Sequence, residues 1–187
     1  MEVLKSNSGQ EFIILEEGIK PVRNRTYMMC TIQFVATGTI KTVYKSNADC
    51  GKVKDPYQVS FCGVGYLGDY TRSPHWRQSK QLWTNMIKRC YDQNYVAGYY
   101  GRGYTVCERW KCFSNFLDDV QKLPNFGLWL LGHEKGNTKY NLDKDLTIPN
   151  NKVYCREACS FVTESLNKAA GARNGKPYTK KKKVGMA

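Results

Sequence analysis

No stretch of this sequence is long and apolar enough to cross a bilayer: the longest uncharged apolar run is Phe126 to Leu131, far short of the ~20 residues a spanning helix needs. The first residues, MEVLKSNSGQEF, have no apolar core or small-residue cleavage site, which predicts retention in the cytosol. None of the eight cysteines forms a CxxC pair; the closest pairs are Cys107/Cys112 and Cys155/Cys159. In a reducing compartment this predicts free, buried thiols rather than a disulfide framework. A structural zinc cluster drawn from Cys90, Cys107, Cys155 and Cys159 is the less favoured alternative. Around the glycines of Cys62 to His75 there is no lysine-serine pair and no helix opening, which excludes a phosphate loop.

Acidic residues are also scarce, 16 against 29 Lys and Arg, for a net charge of +13 in 187 residues. The imbalance is uneven. Residues 1–75 carry 9 basic and 7 acidic groups, residues 76–170 carry 14 and 9, and residues 171–187 carry 6 and none. Excess charge of this kind supplies salt-dependent affinity for phosphate, so a nucleic acid is the expected partner and a membrane is not. The lysine- and glycine-rich segment 171–187 reads as a basic disordered tail, with Lys180, Lys181, Lys182 and Lys183 as DNA-binding residues.

What is plentiful is apolar and aromatic matter, 41% and 13% of the chain, enough for a core. The expected class is α+β: a small N-terminal β module followed by an α/β region that contains a C-terminal hairpin and helix. Residues 1–61 read as the β-rich module. Phe12 to Leu15, Met28 to Val35 and Thr39 to Tyr44 are its strands, turning at Thr37-Gly38. Residues 62–75 read as a linker. Residues 76–170 begin with a helix in which Leu82, Trp83, Met86, Ile87, Cys90 and Tyr91 recur at helical spacing. Arg77, Lys80, Lys88 and Arg89 form its basic, DNA-facing side. Tyr104 to Cys107 suggests a short strand. A second helix spans about Phe113 to Leu123 and ends before Pro124. His133, after the FGLWLLG run, is placed at a turn.

The most informative stretch is Tyr140 to Asn167. Leu142-Asp143-Lys144-Asp145-Leu146, the turn-forming Pro149-Asn150-Asn151, the β-like Ala158 to Val162 and a capping Thr163 predict strand, loop, strand, helix. Such a hairpin can bring a carboxylate from its first strand and an amide from the helix to one hard divalent cation, Mg²⁺ or Mn²⁺.

Asp143-Lys144-Asp145, Asn151, and Phe161-Val162-Thr163 followed by Asn167 resemble the ββα-metal unit of HNH endonucleases, specifically the homing-type enzymes of bacteriophages. Trp83 to Tyr91, Tyr104 to Trp110 with Phe113 to Phe116, LDKDL and NNKVYCREACSFV are similar to an ordered series of blocks in that family. The likeness covers about residues 10–168. It implies a metal-dependent enzyme that hydrolyses phosphodiester bonds of double-stranded DNA in the cytoplasm of a bacterial host. It also implies that Asp143 and Asn167 hold the ion and that Asn151 orients the base. Where the family has its general-base histidine this chain has Lys144. A lysine of ordinary pKa, ~10.4, is protonated at neutral pH, and its two flanking carboxylates stabilise the ammonium. Asp145 as base or second ligand, His133 as base, and a catalytically dead site that only binds DNA all remain open. A basic RNA- or ribosome-associated factor is the reading outside the family.

Overall fold

In the computed structural model the described residues are 2–70, 72–95, 100–137 and 139–173; Lys180 to Lys183 lie outside them. The fold is α+β, and the chain forms two compact units. One comprises Met1–Val59 with Tyr66–Asp69, the other Ser60–Gly65 with Tyr70–Ala187. The segment 60–70 therefore alternates between the units. Among the described residues no helix is long and apolar enough to cross a membrane.

The first unit is an antiparallel meander of β1 (Val3–Lys5), β2 (Glu11–Val22), β3 (Arg25–Phe34) and β4 (Ile40–Tyr44), with the short helix α1 (Lys45–Asp49) after it. Alternation along β3 sends Cys30, Ile32 and Phe34 to one face, where they bury with Phe12, Ala48 and Val53. Gly51 closes the loop beneath this core. It sits at φ +64°, and a Cβ there would lie 2.7 Å from the Asn7 side-chain oxygen, so the close approach and the left-handed backbone both require glycine.

β2 and β3 run well past their neighbours. β1 pairs no further than Ile13, and β4 no further than Met29. Beyond Gly18↔Met29 the two strands pair only with each other, through Ile19↔Met28, Lys20↔Tyr27, Pro21↔Thr26 and Val22↔Arg25. The result is a two-stranded ribbon with exposed Ile19 and Met28. Its residues 18–28 carry Lys20, Arg23 and Arg25 and no acidic group.

The second unit is built on aromatic packing. Helix α2 (Trp76–Tyr91) buries Trp83, Met86, Ile87 and Cys90, the stripe expected from its spacing, and its last-turn Lys88 and Arg89 complement the helix dipole. Trp83 is fully enclosed. Its indole N–H donates to the Trp110 carbonyl at 2.7 Å, and its ring meets Phe61 edge-on at 4.9 Å. β5 (Thr105–Val106), α3 (Glu108–Lys111) and α4 (Phe113–Val120) follow. These aromatics are core, as such density usually is.

Two features of this unit differ from expectation. The FGLWLLG run is a helix, α5 (Phe126–Glu134), and His133 lies in its last turn rather than at a turn between elements. Phe126 and Trp129 face inward while Leu128 and Leu131 are exposed. The helix is apolar on both sides, which hides its period. The second difference is the helix α6 (Glu164–Arg173), which continues three residues into the segment read as tail.

Candidate functional site

The C-terminal region forms strand, loop, strand and helix. β6 (Tyr140–Asp143) pairs antiparallel with β8 (Ser160–Thr163), Asp143 opposite Ser160 and Tyr140 opposite Thr163. Between them β7 (Val153–Tyr154) pairs in parallel with β5. Thr163 starts α6 as a cap, its hydroxyl accepting the Leu166 N–H at 3.4 Å. α6 packs on β6 and β8. The hairpin is clamped from below: Asn125, at φ +64°, donates its amide to the Phe161 carbonyl at 2.9 Å, while the Phe161 N–H donates to Pro124 at 3.1 Å.

Asp143 ends β6 and is buried. Its Oδ2 accepts the backbone N–H groups of Asp145 at 3.1 Å and Leu146 at 2.7 Å, so the carboxylate folds the turn that follows it. Burial, then a hydrogen bond and repulsion from the Asp145 carboxylate, raise the Asp143 pKa above its ordinary value despite those two amides.

Lys144 is 3% exposed. Its ammonium lies 3.3 Å from Asp145 Oδ2, 4.4 Å from the Tyr104 ring centroid and 5.4 Å from that of Tyr154. The ammonium is thus paired with a carboxylate and faced by two aromatic rings, a cation–π arrangement inside the unit. Asn151 supports the same turn. Its amide donates to the carbonyls of Lys144 at 2.8 Å and Val153 at 2.7 Å, and its oxygen accepts the Val153 N–H.

The structure thus brings Asp143, Lys144, Asp145 and Asn151 together and places Asn167 in the second unit's α6, half-buried. The donor set fits a hard cation in one respect. The Asp143 and Asp145 carboxylates are close enough to hydrogen-bond and repel each other, and a shared proton or a divalent ion relieves that repulsion. Asp143 and Asp145 would supply the anionic oxygens for such an ion. Among the described residues no three His, Cys, Asp or Glu side chains are grouped to hold a metal. For the cysteines, burial pushes the Cys90 thiol up to about 11 and raises Cys107, Cys155 and Cys159 as well, favouring neutral thiols.

His133 stands apart from this cluster. It lines a cavity of about 170 Å³ with Asn85 and Arg89 of α2, Asn141 of β6, and Tyr154. Arg77 and Lys88 are exposed and Lys80 half-buried, but Arg89 turns inward to the cavity. The reason is angular: consecutive helical residues point about 100° apart, so Lys88 and Arg89 cannot share a face. The ribbon residues Lys20, Arg23 and Arg25 were not singled out by sequence, because the near-neutral count for residues 1–75 averages them with acids elsewhere in the module.

No protein family, curated protein or solved structure matches the chain.

Proposed function

We propose that this protein binds double-stranded DNA and cleaves its phosphodiester backbone with one divalent cation, Mg²⁺ or Mn²⁺, as an HNH-type endonuclease. The observation that carries the reading is the hairpin β6/β8 followed by the Thr163-capped α6, with Asp143 at the end of the first strand and Asn167 on the helix. A divalent ion held there would stabilise negative charge developing on a phosphodiester. Asp143 and Asp145 contribute anionic oxygens. Asn151 holds the turn that carries them, and the Lys144 ammonium neutralises part of their charge. The Lys144 ammonium and the Asp145 carboxylate engage each other at 3.3 Å. His133, an imidazole, is the remaining candidate for the base in this reading, and it would act from the neighbouring cavity rather than from within the carboxylate cluster.

The test is incubation of the purified chain with supercoiled plasmid carrying bacteriophage sequence, with Mg²⁺, Mn²⁺ or EDTA. Nicked or linear product in the metal lanes alone is expected. The burial of Lys144 where the HNH pattern has a histidine favours a second reading, a protein that grips DNA without cutting it. DNA retained on a gel with no product under either metal would select that reading. Preference for folded RNA over duplex DNA would remove both.

The ribbon of the first unit supports a nucleic-acid partner independently, since a two-stranded ribbon fits the major groove and this one carries three cations and no acid. Replacing Lys20, Arg23 and Arg25 together by serine is expected to weaken duplex binding about 10-fold and to lower the log–log salt slope by about 2 to 3. Fluorescence anisotropy at several salt concentrations measures both, and an unchanged slope would exclude the ribbon as a phosphate contact.

A further inference from the structure

Among the described residues no carboxylate is paired with the Arg89 guanidinium. Burial works against its charge, and the interactions that outweigh this come from Tyr154 and Tyr95 rather than from a carboxylate. Its Nε is buried with no hydrogen-bond partner among the described residues. None of the residues lining the cavity it enters is acidic. Nor can the undescribed residues supply an acidic side chain, because Met1, Thr71, residues 96–99, Thr138 and residues 174–187 include no Asp or Glu.

The cavity walls add donors. Asn85 lies one helical turn before Arg89 and so beside it. The Gln81 amide donates to Asn85 Oδ1 at 3.0 Å, which leaves the Asn85 amide hydrogens to point elsewhere. Asn141 and His133 complete the polar wall. The volume, about 170 Å³, is over ten times the ~15 Å³ that admits one water, so a tetrahedral oxyanion has room. A buried cation left unpaired is costly, and an incoming anion recovers that cost.

We infer that this cavity is a phosphoryl-group site in which Arg89, Asn85 and His133 hold the oxyanion. The inference deepens the proposed function by naming a phosphate-holding residue, and it rests on that reading only where the phosphate belongs to DNA. Neither part of it requires cleavage. The shared chemistry is a phosphoryl oxyanion, and its source is either a nucleic-acid backbone or a free phosphate.

Two ligands separate the sources: inorganic phosphate, read by thermal shift at constant ionic strength, and a 12-base-pair duplex, read by anisotropy without metal. The variants are Arg89→Gln and Asn85→Asp, with Gln93→Glu, which adds the same charge on an exposed residue, as control. Phosphate at ten times its Kd is expected to raise the Tm of the wild-type chain by about 3 °C and to have no effect on either cavity variant. Asn85→Asp supplies the missing carboxylate, so it should also raise the Tm without ligand, which keeps the test informative should Arg89→Gln fail to fold. A phosphate shift lost in Asn85→Asp with unchanged duplex affinity assigns the site to free phosphate. A 10-fold loss of duplex affinity in Asn85→Asp beyond that of Gln93→Glu, with no phosphate shift, assigns it to the backbone. If Asn85→Asp matches Gln93→Glu in both measurements, the site does not exist, whether or not the protein cuts DNA.

Discussion

Asp119→Ala is expected to destabilise the second unit by about 4 kcal/mol. Among the described residues Asp119 is the most deeply buried acid, 1% exposed. It lies on α4, and its carboxylate takes the Arg109 guanidinium at 2.7 and 3.2 Å and the indole N–H of Trp110 at 2.9 Å. Arg156 approaches to 3.9 Å. Removing the side chain orphans a buried indole donor and cuts the tie between α3, α4 and the Arg156 loop. Arg109 and Arg156 are half exposed and can return to water, which keeps the cost from rising further. Burial alone would raise the Asp119 pKa; hydrogen bonds from Arg109 and Trp110 and the nearby arginine charges outweigh it and hold the value below the ordinary one. A lowered folded-state pKa contributes stability that is complete above the unfolded value, about 3.9, and is lost as pH falls through the folded one. Asp119→Asn should therefore be less stable than wild type at neutral pH, and the gap should begin to narrow below about pH 4 and close only as pH falls through the lower folded-state value. All four tryptophans, Trp76, Trp83, Trp110 and Trp129, lie in this unit, so urea titration followed by tryptophan fluorescence reports on it alone. A loss under 1 kcal/mol for Asp119→Ala would show that the carboxylate is not a keystone.

The role of Asp119 was not legible in the sequence, and the reason is physical. In the sequence it is one of two adjacent aspartates, and only the fold brings Arg109, Trp110 and Arg156 onto it. What could be read was local. The Trp83, Met86, Ile87 and Cys90 spacing locates α2, Thr163 marks the start of α6, and the segments Leu142 to Leu146 and Ala158 to Val162 overlap the paired strands β6 and β8. Elements whose local signal was ambiguous were missed. Glu16 to Val22 carries two glutamates, a glycine and a proline, yet it is strand because Arg25 to Thr31 pairs with it; Pro21 is tolerated in a ribbon with no third strand beyond it. The α5 period vanishes because exposed Leu128 and Leu131 are as apolar as buried Phe126 and Trp129. At the candidate site, adjacency alone indicated that the aspartates would hold Lys144 charged. The rings of Tyr104 and Tyr154, about 40 and 10 residues away in sequence, could not be anticipated, nor could the inward turn of Arg89.

If metal-dependent cleavage occurs at this hairpin, Asp143→Ala should lower its rate by about 10³-fold or more, since a lost metal carboxylate removes several kcal/mol of charge stabilisation and each 1.4 kcal/mol is a factor of ten. Alanine alone is ambiguous, because Asp143 Oδ2 also accepts the Asp145 and Leu146 N–H groups and its loss loosens the turn. Asp143→Asn resolves this. An asparagine oxygen can keep both backbone hydrogen bonds while giving up the anionic charge. A site that needs the carboxylate for an ion loses activity in both variants, whereas a site that needs only the turn loses it in alanine and retains it in asparagine. Lys144→Met gives the opposite sign on metal affinity. It deletes the cation that stands 3.3 Å from Asp145 and repels any divalent ion, so Mn²⁺ should bind about 10-fold tighter by calorimetry, an estimate well under the ~4 kcal/mol of two unit charges 4 Å apart at an effective dielectric of 20. Tighter Mn²⁺ in Lys144→Met together with no binding in Asp143→Asn places the ion at these carboxylates. Mn²⁺ affinity indifferent to both substitutions would leave Asp143 a turn residue and Lys144 a core cation, and the hairpin a scaffold for gripping DNA rather than for cutting it.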